Sequence, residues 1–150
     1  MFQGVTHLTL DDKGRFAMPS RFRDEILASC DGLLTLTVDP DQCMLIYPRP
    51  VWEPIREHLM SATNMDPYVR RLQRTVGGYA EDCDMSRQGR ISIPPSIRKQ
   101  VGLDREVTMV GQGKKFEMWD TNLWDKKCDE WAKEDAFSGT GGEALAAFSL

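Results

Sequence analysis

"KGRFAMPSRFR" (Lys13–Arg23) and "QGRISIPPSIR" (Gln88–Arg98) are two versions of one arrangement: Gly-Arg, an apolar-x-apolar triplet, a proline, and an arginine four residues after that proline. The flanks repeat in the same order. Ahead of the first copy, "GVTHLTLD" alternates like a strand, and "DDKG" reads as a turn into the short strand Phe16-Ala17-Met18. Pro19 stops that strand and suits the first turn of a helix, "SRFRDEILAS", which buries Phe22, Ile26 and Leu27. "LLTLTV" and "CMLIYP" then form a hairpin across "DPDQ", and "RPVWEPIREHLM" a closing helix that tolerates Pro54 only near its first turn.

The second copy follows the same plan. "YAEDCDM" is strand-like, "SRQG" a turn, "RISIP" a strand, and "PSIRKQVG" a short helix ended by Gly102. "REVTMV" and "KFEMWD" make a second hairpin, and "TNLWDKKCDEWAKEDAF" a last helix with Leu123, Trp124, Cys128 and Trp131 on its buried side. Superposing the Gly-Arg pairs gives an offset of 75 residues, and superposing the hairpin ends gives 72. Between the units, "NMDPYVRRLQRTVGG" predicts a helix capped by Asp66, with Tyr68, Leu72 and Val76 as its apolar stripe and Arg70, Arg71 and Arg74 exposed. The expected organisation is a first unit at 1–62, a connecting helix at 63–78, a second unit at 79–136 and a mobile tail at 137–150. A repeat of order two is not a solenoid, and each unit is too small to bury a core alone, so the two should pack on each other.

Composition narrows the function. The four cysteines form no C-x-x-C pair and there are only two histidines, so neither a zinc site nor a disulfide framework is expected, and reduced cytosolic thiols are the default. No stretch approaches the length of a membrane span, and the N-terminus lacks the pattern of a signal peptide. Nucleophile, acid–base pair and metal cluster are all missing, and "VGGYAED" and "VGQGK" match no phosphate-binding loop, so no catalysis, cofactor or small-molecule ligand is expected. The net charge of −4 arises entirely in residues 104–150, while residues 1–103 are neutral and hold clustered bases. Local patches of that kind, rather than the average, set the field a polyanion meets.

Glycine at a strand-to-strand turn permits positive φ, so Gly14 and Gly89 can hold the arginine that follows on a rigid edge. Arginine there presents a planar fork of donors suited to phosphate oxygens or a guanine edge. Asp11, four residues before Arg15, can hold that guanidinium or cap the turn; the matching position in the second unit is Ser86, which carries no charge. Arg23 and Arg98 could brace the edge of the core by pairing with neighbouring acids.

The pieces "LDDKGRFAMPSRFR", "DMSRQGRISIPPSIRKQVGL", "CMLIYP", "FEMWD" and "MFQG" together resemble the MraZ family of tandem AbrB-type regulators, over about residues 1–135. The resemblance implies a mainly β (α+β) fold of two swapped-hairpin units forming an intramolecular pseudo-dimeric β-barrel, with short helices after each unit. It also implies a cytoplasmic, nucleoid-associated repressor of its own division and cell-wall operon, binding direct repeats in double-stranded DNA as a ring homo-oligomer. The family's D-x-x-x-R motif falls on Asp11 and Arg15. Lys13, Arg15, Arg21, Arg87 and Arg90 are then expected to face DNA, Arg15 at base edges and Lys13, Arg21 and Arg87 at phosphates. Rival readings are an antitoxin-like interaction module and an oligomeric scaffold. An antitoxin would carry a longer toxin-wrapping tail, and a scaffold would not need arginines at both turns.

Overall fold

In the computed structural model, which describes residues 1–134 and 147–148, the repeat is legible as two sets of strands that complete one another. Residues 137–150, expected to form a mobile tail, lie outside the described residues apart from 147–148. The first unit comprises β1 (Phe2–Thr9), β2 (Arg15–Ala17), α1 (Ser20–Cys30), β3 (Leu33–Val38), β4 (Met44–Pro48) and α2 (Arg49–Ser61). After α3 (Pro67–Leu72) come β5 (Glu81–Asp84), β6 (Arg90–Ser92), α4 (Pro95–Val101), β7 (Glu106–Gly113), β8 (Phe116–Asp120) and α5 (Thr121–Lys133). The architecture is α+β, with antiparallel pairing throughout.

Six strands form one sheet in the order β1-β7-β8-β4-β3-β5, and β2 pairs with β6 in a separate ribbon. The two hairpins β3–β4 and β7–β8 stay within their units. Every other pairing crosses between units: β1 on β7, β5 on β3, β4 on β8, and β2 on β6. Exchanging the units maps this set onto itself, and Phe16 faces its own counterpart, Ile91. The expected closed barrel is not found among the described residues. The strand order is linear, with β1 and β5 at its ends. The ribbon stays short, because Pro19 and Pro94 follow two residues after its strands end at Ala17 and Ser92 and turn the chain into α1 and α4.

Alternation along the central strands builds two cores. On β4, Met44 and Ile46 face one side and Leu45 and Tyr47 the other; on β8, Phe116 and Met118 oppose Trp119. The larger core lies under the β2–β6 ribbon, α1 and α4, and joins Phe16, Ile91, Ile26 and Ile97 with a cluster of Phe2, Phe22 and Phe116. The second core centres on Trp52 and Trp119 beneath α2 and α5. Two aromatic residues expected inside are not. Tyr68 is 57% exposed, because the helix opens at Pro67 and then widens into a π-helical turn, Gln73–Gly77, that turns Val76 rather than Tyr68 inward. Trp131 is 46% exposed and meets Trp119 and Trp124 edge to face, near the end of a helix shorter than the sequence suggested. α2 also runs on through Pro54, in its second turn. Asp66 caps α3 and Gly102 ends α4 in the left-handed conformation, as the sequence predicts. No described helix is long and apolar enough to cross a membrane.

Candidate nucleic-acid interface

Two turns, Asp11–Arg15 and Ser86–Arg90, feed the ribbon and share one hydrogen-bond scheme. The Gly14 N–H donates to the Asp11 carbonyl at 3.0 Å, and the Gly89 N–H to that of Ser86 at 2.8 Å. The Asp11 N–H donates to the Arg15 carbonyl at 3.0 Å, and the Ser86 N–H to that of Arg90 at 3.1 Å. Each turn is then tied to the other unit. The Ile93 N–H donates to the Gly14 carbonyl at 2.9 Å, and the Met18 N–H to the Gly89 carbonyl at 2.7 Å. Gly14 and Gly89 adopt φ of +75° and +84°, which only glycine takes without strain.

The side chains at the first position of each turn differ in reach. Asp11 Oδ1 accepts the backbone N–H groups of Lys13 and Arg15, each at 2.9 Å, and Oδ2 accepts Arg15 Nε at 2.7 Å. Donation from the Arg15 backbone, aided by its side chain and by Lys13, holds the Asp11 carboxyl below the ordinary aspartate value. Among the described residues Ser86 Oγ accepts the Arg90 N–H alone, at 3.0 Å. The first turn therefore fixes both backbone and guanidinium, and the second fixes its backbone alone.

The register of the ribbon brings Arg15 and Arg90 together. Arg15 stands opposite Ser92 and Ala17 opposite Arg90, while Phe16 and Ile91 point into the core, so both arginines share the outer face. They line one shallow depression of about 190 Å³ with Thr9, Asp11 and Ala17. Lys13 and Arg87 are exposed on the two turns, and neither they nor Arg90 enter an ion pair among the described residues. Arg21 stands apart. Its guanidinium lies 4.6 Å from the Phe22 ring centre, donates to Thr6 Oγ1 and covers Gly4, so it is engaged on β1 rather than at a turn.

Among the described residues Arg23 and Arg98 do not pair with acids, contrary to the sequence expectation. Arg98 fills the space that a Cβ on Gly14 would need, and Arg23 fills the corresponding space over Gly89. Each arginine thus packs on the turn of the opposite unit. The repeat pattern recorded that these arginines matter, but no spacing within a unit could show which turn they cover. Of the linker bases, Arg70 is committed to the carbonyls of Asn64 and Met65 at 2.9 and 3.0 Å, whereas Arg71 and Arg74 are exposed.

Residues 1–75 and 78–141 match the family profile described as "MraZ protein, putative antitoxin-like". The chain belongs to the MraZ family. Its relatives include the transcriptional regulator MraZ of Thioalkalivibrio sulfidiphilus, 51% identical over the full length of both chains. The protein of the same name from Nitrosomonas europaea is 50% identical over 86% of this chain and 87% of its own. That of Methylococcus capsulatus is 43% identical over 93% and 91%. The MraZ profile spans both turns, so the asymmetry between Asp11 and Ser86 lies within the part of the chain that the family shares.

Proposed function

We propose that this protein is a sequence-specific DNA-binding transcriptional regulator. It acts as a repressor of its own division and cell-wall operon, in the cytoplasm on the nucleoid, and performs no chemistry. The observation that carries this reading is the shared outer face of the ribbon, where Arg15 and Arg90 stand together between two rigid turns. A two-stranded element of this kind fits the major groove, and an arginine fork held in one direction can read a guanine edge. Arg15 reads bases, because Asp11 directs it. Lys13, Arg87 and Arg21 hold phosphates, Arg21 from its more distant place on β1. The two halves, 1–62 and 79–136 about a 63–78 connector, act as one intramolecular pseudo-dimer, a reading that the reciprocal strand pairing supports.

Several protomers in a ring meeting successive direct repeats supply avidity that one small basic face lacks. Ring assembly is supported by an apolar groove of about 480 Å³ lined by Pro54, Ile55, His58, Leu59, Leu72 and Val76. The deciding experiment is a mobility shift on duplex DNA from upstream of the protein's own gene, against a scrambled duplex, at two salt concentrations. Retarded operator complexes, with Arg15→Ala erasing roughly 10–100-fold of discrimination, are expected. Absence of any shift in low salt would instead favour the interaction-module reading, which the same groove also supports.

A further inference from the structure

The arginine that closes each repeat motif packs on the other repeat's turn. Gly14 and Gly89 are buried although Lys13 and Gln88 beside them are exposed, and what covers them is Arg98 and Arg23 respectively. The contact runs along the flat part of each guanidinium: Cδ, Nε and Cζ of Arg98 approach Gly14, and Nε, Cζ and Nη2 of Arg23 approach Gly89. The Nε atoms of both arginines are buried and have no hydrogen-bond partner among the described residues, so at the glycines this part of each group is packed as a plate on the backbone. Arg23 is also anchored: its Nη2 donates to the Met18 carbonyl at 3.0 Å, and the Met18 N–H in turn donates to the Gly89 carbonyl at 2.7 Å. No equivalent side-chain bond is formed by Arg98 among the described residues. The stronger clamp therefore sits on the turn that has only Ser86, and the looser one on the turn that Asp11 already braces.

We propose that Arg98 and Arg23 are positioning residues for DNA recognition, each setting the turn of the opposite unit: Arg98 the Asp11–Arg15 turn and Arg23 the Ser86–Arg90 turn. The inference rests on the DNA-binding reading for its purpose, and on the crossed packing for its geometry. Its consequence is that neither recognition turn is independent. A change at α4 alters what Arg15 reads, and a change at α1 alters what Arg90 reads.

Amide hydrogen exchange on the full chain tests the geometry without DNA. Arg98→Met, which keeps an unbranched chain and removes the guanidinium, is expected to speed exchange at Gly14 and Arg15 about fivefold while Gly89, Arg90 and the core amide of Ile46 keep their rates. Arg23→Met gives the mirror result, with the larger effect. Acceleration confined to the variant's own unit, or uniform acceleration that includes Ile46, overturns the proposal. Competition binding with operator and scrambled duplexes tests the purpose. Loss of discrimination from Arg98→Met should be non-additive with Arg15→Ala and additive with Arg90→Ala, by a margin of about threefold or more. If Arg98→Met instead weakens both duplexes equally and flattens the salt dependence, Arg98 is a phosphate contact and the positioning role fails. If the unaltered protein binds neither duplex, the DNA reading falls, and the exchange pattern alone decides whether the crossed clamp exists.

Discussion

Asp11 grips Arg15 twice, accepting its backbone N–H at 2.9 Å through Oδ1 and its Nε–H at 2.7 Å through Oδ2. One carboxylate thereby sets both where the residue sits and which way its guanidinium points. The folded carboxyl lies below its ordinary value, so the double grip is complete above the usual carboxylate range and is lost as pH falls through that depressed value. NMR titration should find the Arg15 Nε–H signal unchanged from neutral pH down through the range in which an ordinary aspartate titrates, and moving toward that of a free arginine only below that range. The Arg90 amide, bonded to the Ser86 hydroxyl, should not follow it.

Glycine replacement separates backbone strain from crowding. Gly14, Gly89 and Gly102 all have positive φ, but a Cβ on the first two would collide with Arg98 and Arg23, whereas nothing lies within 4 Å at Gly102. Gly102→Ala is expected to cost about 1 kcal/mol, from backbone conformation alone. Gly14→Ala and Gly89→Ala should each cost about 2–4 kcal/mol, as strain and displacement of a guanidinium combine. Thermal melts of the three variants check the order.

Arg49 ties the first unit's second helix to the second unit's edge strand. Its Nη2 donates to the Leu34 carbonyl and to Asp84 Oδ1, both at 3.0 Å. Arg49→Ala should destabilise by about 1–2 kcal/mol, chiefly through the partly buried carbonyl it abandons. Asp84 is 74% exposed, so Asp84→Asn should cost less than about 1 kcal/mol and even less in high salt. Urea denaturation at two ionic strengths distinguishes the two.

Ile91 is fully buried where the ribbon meets the larger core. Ile91→Ala should cost about 2–5 kcal/mol and Ile91→Val about 0.5–1.5 kcal/mol. Because Phe16 and Ile91 belong to one core, both variants should still unfold in a single denaturant transition. Two resolved transitions would show that the units are stable separately.

Much of this was legible in the sequence, and for identifiable reasons. Alternation, proline stops and glycine turns are local signals, so the strands, the hairpins and the caps at Asp66 and Gly102 lie where the residues predict. The offset of 75 residues reappears in space as Phe16 facing Ile91. What escaped depends on contacts between distant segments. The π-helical turn moves the stripe away from Tyr68, and Trp131, near the end of α5, stays half exposed. The open strand order depends on how far the ribbon reaches, and the crossed seats of Arg23 and Arg98 on which helix overlies which turn. Neither is encoded in any spacing within one unit. The pairing of Asp11 with Arg15 was readable because both ends of the bond lie in one turn.

The strand exchange also determines how the two halves can change over time. Among the described residues β1 pairs with β7 alone and β5 with β3 alone, so neither half holds the neighbour its own strand requires. A dimer of identical half-length chains could satisfy the same pairings, but every substitution would then appear twice. Joining the halves in one chain frees each copy to drift, and assembly of the shared core no longer depends on protein concentration. The two turns use that freedom: Asp11 gives one a charged brace and Ser86, at the matching position, gives the other a hydroxyl, inside a single shared core.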